Sequence, residues 1–359
     1  MPDFKPLTVK EVRRETADCV SIALEVPESL KTDFEYLPGQ YLTFKQHING
    51  EEVRRSYSIC TAPSDNDLRV AVKLVPEGRF STFANQKLKA GDVLETMTPT
   101  GNFQLTAAPD HQKKYVAFAA GSGITPILAI VKTVLTEEPN SHITLFYGNK
   151  NFDSIIFLEE IEALKNQHLG SLSIYHVLSR EMLNGPLFSG RIDKERCVTF
   201  SQKFFDPESV DAYYVCGPYQ MIMDVRAGLE EIGVADNKVN FELFGTAEDL
   251  AAQKPKEEVL EATVTDYDCM ATIIKDGIAI EVPMYKDNLS ILDAGLKSGA
   301  DLPYSCKRGN CCTCRAKVLE GDTELRINYA LRDDELERNY TLTCQTFPLS
   351  DKVVISFDQ

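Results

Sequence analysis

Cys306, Cys311, Cys314 and Cys344 restrict what this chain can fold into more than any other feature. Four residues separate the first pair, two the second, and twenty-nine intervene before Cys344. Thiolates at that spacing hold a two-iron, two-sulfur cluster, with three ligands on one short loop and a distant fourth closing the cage. The fold must therefore bring a loop and a remote segment together around an inorganic core. The loop reads Cys306-Lys-Arg-Gly309-Asn-Cys311-Cys312-Thr313-Cys314, and Gly309 gives its backbone the freedom to turn tightly. Cys312 lies off the spacing and is not expected to be a ligand, with a surrogate role on loss of a neighbouring ligand as its alternative.

Other uses of ten cysteines fit less well. The remaining Cys19, Cys60, Cys197, Cys216 and Cys269 are scattered, and the start Met-Pro-Asp-Phe-Lys-Pro lacks the apolar run of a secretory signal, which argues against disulfides. Structural zinc takes two close pairs of ligands rather than three and one. A length of 359 residues exceeds one hydrophobic core and implies two or three domains. A formal charge of −16 argues against a non-specific nucleic-acid binder, which needs a basic surface. No run of eighteen apolar residues exists, so no membrane insertion is expected. The expected location is the cytoplasm, which suits oxidation-sensitive thiolates.

Three segments follow from patterning. Residues 1–108 carry short strand-like runs (Val9 to Val12, Val20 to Val26, Tyr41 to Phe44, Ser56 to Cys60, Leu68 to Leu74) broken by turns, which predicts an antiparallel barrel or sandwich. Residues 109–245 alternate apolar strands (Tyr115 to Ala119, His142 to Tyr147, Leu172 to Leu178, Ala212 to Cys216) with helices, which predicts a doubly wound parallel sheet. A polar stretch at 246–258 reads as a linker. Residues 259–359 resume with strands at Ala262 to Thr265 and Ala271 to Ile274, then a helix at Ile291 to Ser298 leading into the cysteine loop.

Four stretches upstream carry cofactor chemistry. In Arg55-Ser56-Tyr57-Ser58 an arginine can neutralise a pyrophosphate, a tyrosine can stack on a flavin ring and a serine can bond its polar edge. Gly78-Arg79-Phe80-Ser81-Thr82 stands at a predicted helix start, where free amides and hydroxyls attract an anion. Gly121-Ser122-Gly123-Ile124-Thr125-Pro126 follows an apolar strand and opens a helix, the place of a phosphate-binding glycine turn, with Pro126 suited to a first helical turn. Cys216-Gly217-Pro218 ends a later strand.

In this order, these stretches resemble the ferredoxin–NADP reductase superfamily over about residues 4–245, and the remainder resembles a plant-type ferredoxin. The resemblance implies an antiparallel β-barrel FAD domain, an α/β doubly wound NADP domain and an α+β β-grasp ferredoxin domain. It implies that Arg55, Ser56, Tyr57, Ser58 and the turn of Gly78, Arg79, Phe80, Ser81 and Thr82 bind FAD. Pro38-Gly39-Gln40-Tyr41 is similar to the family's barrel turn, with a structural role. Gly121, Gly123, Thr125 and Pro126 are implied at the nucleotide, with Cys216 and Gly217 beside the nicotinamide. Phe241-Glu242-Leu243-Phe244 is similar to the family's aromatic-acidic tail, implying a proton-relaying Glu242 and a ring-covering Phe244. Thr125, Cys216 and Glu242 are thus the expected catalytic positions, and the cysteine at 216 has core packing as its alternative.

Ser179-Arg180-Glu181 is similar to the Ser-Arg pair that grips the 2′-phosphate in NADP-using relatives, and Lys150 adds a cation. NADPH is therefore expected ahead of NADH. The implied path runs from NADPH to FAD, to the 2Fe-2S cluster, and on to an acceptor protein. The order flavin, nucleotide, ferredoxin is similar to oxygenase reductases and favours a di-iron oxygenase as acceptor. A desaturase, an alkane or steroid hydroxylase, a ring-hydroxylating dioxygenase or a hybrid-cluster protein is the alternative, and a non-enzymatic redox sensor a further one. Lys307 and Arg308 beside the loop read as solvated charges.

Overall fold

The computed structural model describes residues 4–182, 185–244 and 267–358. The expected linker at 246–258 and strand at 262–265 lie outside them. Among the described residues no helix is long and apolar enough to cross a membrane.

The first sheet contains β1 (Lys5–Thr16), β2 (Cys19–Glu25), β3 (Tyr41–Ile48), β4 (Glu51–Ser58), β5 (Leu68–Lys73) and β6 (Val93–Thr96), with helix α1 (Arg79–Gln86) between the last two. The strands lie in the order β4-β3-β6-β1-β2-β5 and every pairing is antiparallel. A bridge between Ile59 and Val70 joins the end of β4 to β5, so the two edges of the sheet meet and close a barrel. Leu7, Val9, Ile22, Leu42, Phe44, Val70, Val72 and Phe80 fill it. Phe44 and Phe80 stack with centroids 5.7 Å apart, which pins α1 onto the barrel.

The second sheet is wholly parallel. Its strands are β7 (Lys114–Ala120), β8 (His142–Asn149), β9 (Leu172–Leu178), β10 (Ala212–Gly217) and β11 (Val239–Leu243), in the order β11-β10-β7-β8-β9. Helices α2 (Ile124–Glu137), α3 (Leu158–Gln167), α4 (Lys194–Phe204) and α5 (Tyr219–Glu231) connect them. Both faces of the sheet are covered, by separate apolar clusters, as the run Tyr-Val-Ala-Phe-Ala of β7 demands. Strand order reverses between β7 and β10, and the crevice at their carboxyl ends is where such sheets take ligands.

The third sheet is mixed: β12 (Cys269–Lys275), β13 (Ile278–Met284), β14 (Arg315–Glu320), β16 (Tyr340–Leu342) and β18 (Lys352–Ser356) run in the order β13-β12-β18-β14-β16, beside a small pair of β15 (Thr323–Leu325) and β17 (Thr346–Pro348). Helix α6 (Ile291–Lys297) buries Ile291, Leu292 and Ala294 against it, and a short α7 (Asp333–Glu337) precedes β16.

The antiparallel barrel, the doubly wound sheet and the α+β third unit agree with the expected fold class. The residues 241–244, read as a tail, are mostly strand: Val239–Leu243 pairs in register along β10. Helices α4 and α5 were not anticipated.

Candidate electron-transfer site

The four expected ligands converge. Cys306 Sγ and Cys311 Sγ lie 3.2 Å apart, and Cys344 is within hydrogen-bonding reach of both Cys306 and Cys314. Gly309 adopts φ +75°, and a Cβ there would stand 2.6 Å from Ile327 O, so the loop closes only with glycine. No group of three or more His, Cys, Asp or Glu side chains among the described residues is arranged around a single metal ion. Four neighbouring thiols are instead the donor set that would hold a binuclear 2Fe-2S cluster, two to each iron. Cys312 turns away from the other thiols, donating to Ala330 O at 3.4 Å.

The cluster loop rests on the barrel. The β3–β4 pairing sets Tyr41 opposite Ser58 and Thr43 opposite Ser56, and alternation puts Arg54, Ser56 and Ser58 on one face of β4. That face meets the third unit. Ser56 Oγ lies 2.7 Å from Ser305 Oγ, adjacent to Cys306, and Tyr41 OH lies 3.1 Å from Thr313 Oγ1, adjacent to Cys314. The Arg54 guanidinium sits 4.3 Å over the Tyr304 ring. Asn102 Nδ2 donates to Glu335 Oε2 at 2.6 Å.

The same face meets the second sheet. Ser58 Oγ donates to Glu242 Oε2 at 2.8 Å, and Glu242 stands beside Cys216 in the β10–β11 register. Burial pushes the Glu242 carboxyl up to about 8, against the opposing pull of Ser58. Burial also holds the Cys216 thiol well above its ordinary range. Fully buried among core residues, Cys216 is a packed, protonated thiol rather than a nucleophile.

Tyr57 faces the other way, with its ring 5.4 Å from Phe80 and 6.1 Å from Phe44. Arg55 is exposed, and one terminal nitrogen donates to Arg54 O at 2.7 Å. The amides of Arg79, Phe80 and Ser81 open α1 without a protein acceptor among the described residues. This is the donor set a pyrophosphate needs, and it fits FAD. Three residues of the stretch have other occupations. Ser81 Oγ accepts from Val75 N at 3.2 Å and donates to Gly78 O at 3.1 Å, Phe80 is buried in the barrel, and Arg79 pairs with Glu51.

The nucleotide crevice is built on close backbone approach. Gly123 would place a Cβ 2.2 Å from Cys216 O and 2.7 Å from Gly217 N, and Gly121 takes φ +53°. The two glycine stretches are therefore neighbours at the switch point, a surface of bare backbone suited to a pyrophosphate. Thr125 Oγ1 donates to Ser122 O at 3.0 Å and fixes this turn, while Pro126 is buried in the first turn of α2. At the ends of β8 and β9, Arg180 N donates to Lys150 O at 2.8 Å and Ser179 N to Asn149 O at 2.9 Å. The Lys150 and Arg180 side chains are exposed and have no ion-pair partner among the described residues. Phe244 packs on the second sheet's core.

Asn102, Ser305, Thr313 and Glu335 carry the contact between barrel and cluster loop, and sequence reasoning passed over all four. The nearest signal was the position of Ser305 and Thr313 beside ligand cysteines.

Comparison with known proteins agrees with this geometry. Residues 6–105 match the oxidoreductase FAD-binding domain, residues 118–227 the oxidoreductase NAD-binding domain, and residues 273–349 the 2Fe-2S iron-sulfur cluster binding domain. The chain belongs to the ferredoxin–NADP reductase superfamily, in its three-domain form with a C-terminal 2Fe-2S domain. It is an electron-transfer reductase of multicomponent oxygenases, dependent on FAD, a pyridine nucleotide and a 2Fe-2S cluster. Among its relatives, one subunit of the 1,2-phenylacetyl-CoA epoxidase of Escherichia coli (strain K12) is 39% identical over 100% of this chain and 99% of that one. The ferredoxin reductase component of 3-ketosteroid-9-alpha-monooxygenase from Rhodococcus rhodochrous is 31% identical over 98% and 96%. Phthalate dioxygenase reductase shares the fold, with a TM-score of 0.54, 23% identity and coverage of 99% and 98%.

Proposed function

We propose that this reductase takes its electrons from NADPH and delivers them, in the cytoplasm, to a di-iron oxygenase of the phenylacetyl-CoA epoxidase kind. When bound, FAD supplies the exchange between a hydride and single electrons, and the cluster supplies a one-electron relay. The chain's own residues orient these groups. Gly121, Gly123 and Gly217 bring bare backbone to the nucleotide, with Thr125 and Pro126 shaping the turn and Cys216 packing beneath it. Arg55, Tyr57 and the α1 amides of Arg79, Phe80 and Ser81, entered through Gly78 and followed by Thr82, hold FAD. Ser56 and Ser58 occupy the face between flavin and cluster, Glu242 holds a proton there, and Phe244 packs behind it. Cys306, Cys311, Cys314 and Cys344 hold the cluster.

Full-length identity of 39% to the epoxidase relative carries the acceptor reading. A steroid hydroxylase is the second reading, favoured by the 31% relative. Purified reductase mixed with each oxygenase and its substrate separates them: coupled product with the epoxidase oxygenase supports the first, and turnover with the steroid oxygenase alone rejects it. Arg180 and Lys150, exposed and without an ion-pair partner among the described residues, carry the NADPH reading, because a 2′-phosphate needs cations where NAD meets an acid. Arg180→Ala should raise KM for NADPH roughly tenfold, the loss of about one charge-assisted bond, with little change for NADH. A wild-type preference for NADH in steady-state kinetics rejects it. No two of the ten cysteines are joined in a disulfide, which suits a reducing cytoplasm.

A further inference from the structure

Among the described residues, the contact between the barrel and the third unit has one hydrogen bond to a deeply buried carboxylate. Glu335, on α7, is 2% exposed, and its carboxylate accepts from Asn102 Nδ2 at 2.6 Å, Arg315 at 2.5 Å and Arg332 N at 3.1 Å. Asn102 belongs to the barrel; the other donors belong to the third unit. The same Asn102 amide reaches Cys312 Sγ at 3.4 Å and Ala330 O at 3.3 Å. Among the described residues, the Ser56–Ser305 and Tyr41–Thr313 bonds from the barrel to this unit join neutral hydroxyls. Bonds to a carboxylate are about twice as strong as neutral ones, and a buried acceptor stripped of its donor is costly.

The barrel presents Asn102 rigidly. Gly101 takes φ +133°, and a Cβ there would stand 3.1 Å from the Tyr41 ring. Tyr41 and Thr100 exchange two backbone bonds, of 2.9 and 3.1 Å. Tyr41 is the residue whose hydroxyl meets Thr313, so one turn fixes both contacts. Asn102 and Glu335 form part of the wall of a polar cleft of about 550 Å³ between the two units, lined also by Arg332 and Arg338. Water can therefore compete for this bond once it loosens.

We propose that Asn102 is a positioning residue for electron transfer from flavin to cluster, latching the cluster loop onto the barrel through the buried carboxylate of Glu335. In the step it serves, one electron passes, leaving the reduced flavin oxidised by one electron and one ferric iron of the cluster ferrous. Asn102 touches neither group; it fixes the separation between them. The latch acts inside one chain, whatever oxygenase receives the electron.

The test uses the full-length holoprotein. Asn102→Asp sets a second carboxylate against Glu335 and should slow cluster reduction at least tenfold in anaerobic stopped-flow mixing with NADPH. Ferricyanide reduction, which draws on the flavin directly, should stay at the wild-type rate, and iron content should stay at two per chain. Amide hydrogen exchange across residues 304–313 should accelerate. Adding Glu335→Gln removes the repulsion and lets the new amide at position 335 donate to the carboxylate introduced at position 102, so N102D/E335Q should return to within about threefold of wild type. Asn102→Ala, which only deletes the bond, should fall between. Wild-type cluster reduction in N102D would overturn the proposal. So would failure of the double variant to recover, or an equal loss of ferricyanide reduction, which would mark a defect of the flavin unit.

Discussion

The hydrogen bond from Ser58 to Glu242 is the smallest unit in which barrel and nucleotide sheet act together. Glu242 holds its proton up to about pH 8, whereas the unfolded carboxyl releases it near 4.5. Below 4.5 both states are protonated and the residue costs nothing. Between 4.5 and 8 only the unfolded chain ionises, so stability falls as pH rises, and it levels off above 8. Glu242→Gln should therefore raise the apparent Tm more at pH 8 than at pH 5, with a difference on the order of 2–4 °C per kcal/mol regained, read by calorimetry of the holoprotein. An equal shift at both pH values contradicts the burial argument. Gly123 makes the opposite case, because its constraint is steric. Gly123→Ala drives a Cβ into Cys216 O and should cost about 1–3 kcal/mol, with loss of nucleotide-dependent flavin reduction and retention of the cluster spectrum. Glycines at a strand-to-helix turn announced themselves in sequence. What Thr125 and Ser81 do with their hydroxyls did not, because a side chain that bonds its own turn has the same composition as one that bonds a ligand.

At the scale of elements, the cysteine loop and the segment carrying Cys344 stand or fall together. Cys306→Ser or Cys344→Ser should remove the cluster's absorbance and iron while leaving the flavin spectrum and ferricyanide reduction intact; Cys312→Ser should keep its iron, since that thiol bonds Ala330 O. Iron assay and electron paramagnetic resonance check both. Elements with strong periodicity were legible: Leu172–Leu178 is a strand as expected, and the helix expected at Pro126 to Leu135 spans Ile124–Glu137. Short edge strands were not. Val239–Leu243 is mostly half-buried and depends on pairing with β10 at long sequence distance, so it read as a tail. Helix α4 was legible in principle, with an Asp193 cap and buried Cys197, Phe200 and Ser201 on one face, and was overlooked.

At the scale of the whole molecule, the outer face of β3 and β4 is the common ground of three units. Ser58 meets Glu242 there, Ser56 and Tyr41 meet the cluster loop, and Asn102 reaches Glu335 from the neighbouring turn. Sequence indicated all three cofactor stretches but not this juxtaposition, because residues 184 to 272 positions apart leave no local trace of their contact. The proposed path places flavin between nucleotide and cluster and so requires an order of events. Anaerobic stopped-flow absorbance with NADPH, paired with freeze-quench electron paramagnetic resonance, tests that order most directly. Flavin bleaching should come first, followed by the signal of the reduced cluster, and Cys306→Ser should abolish only the second phase. Cluster reduction that precedes or bypasses flavin bleaching would contradict the account.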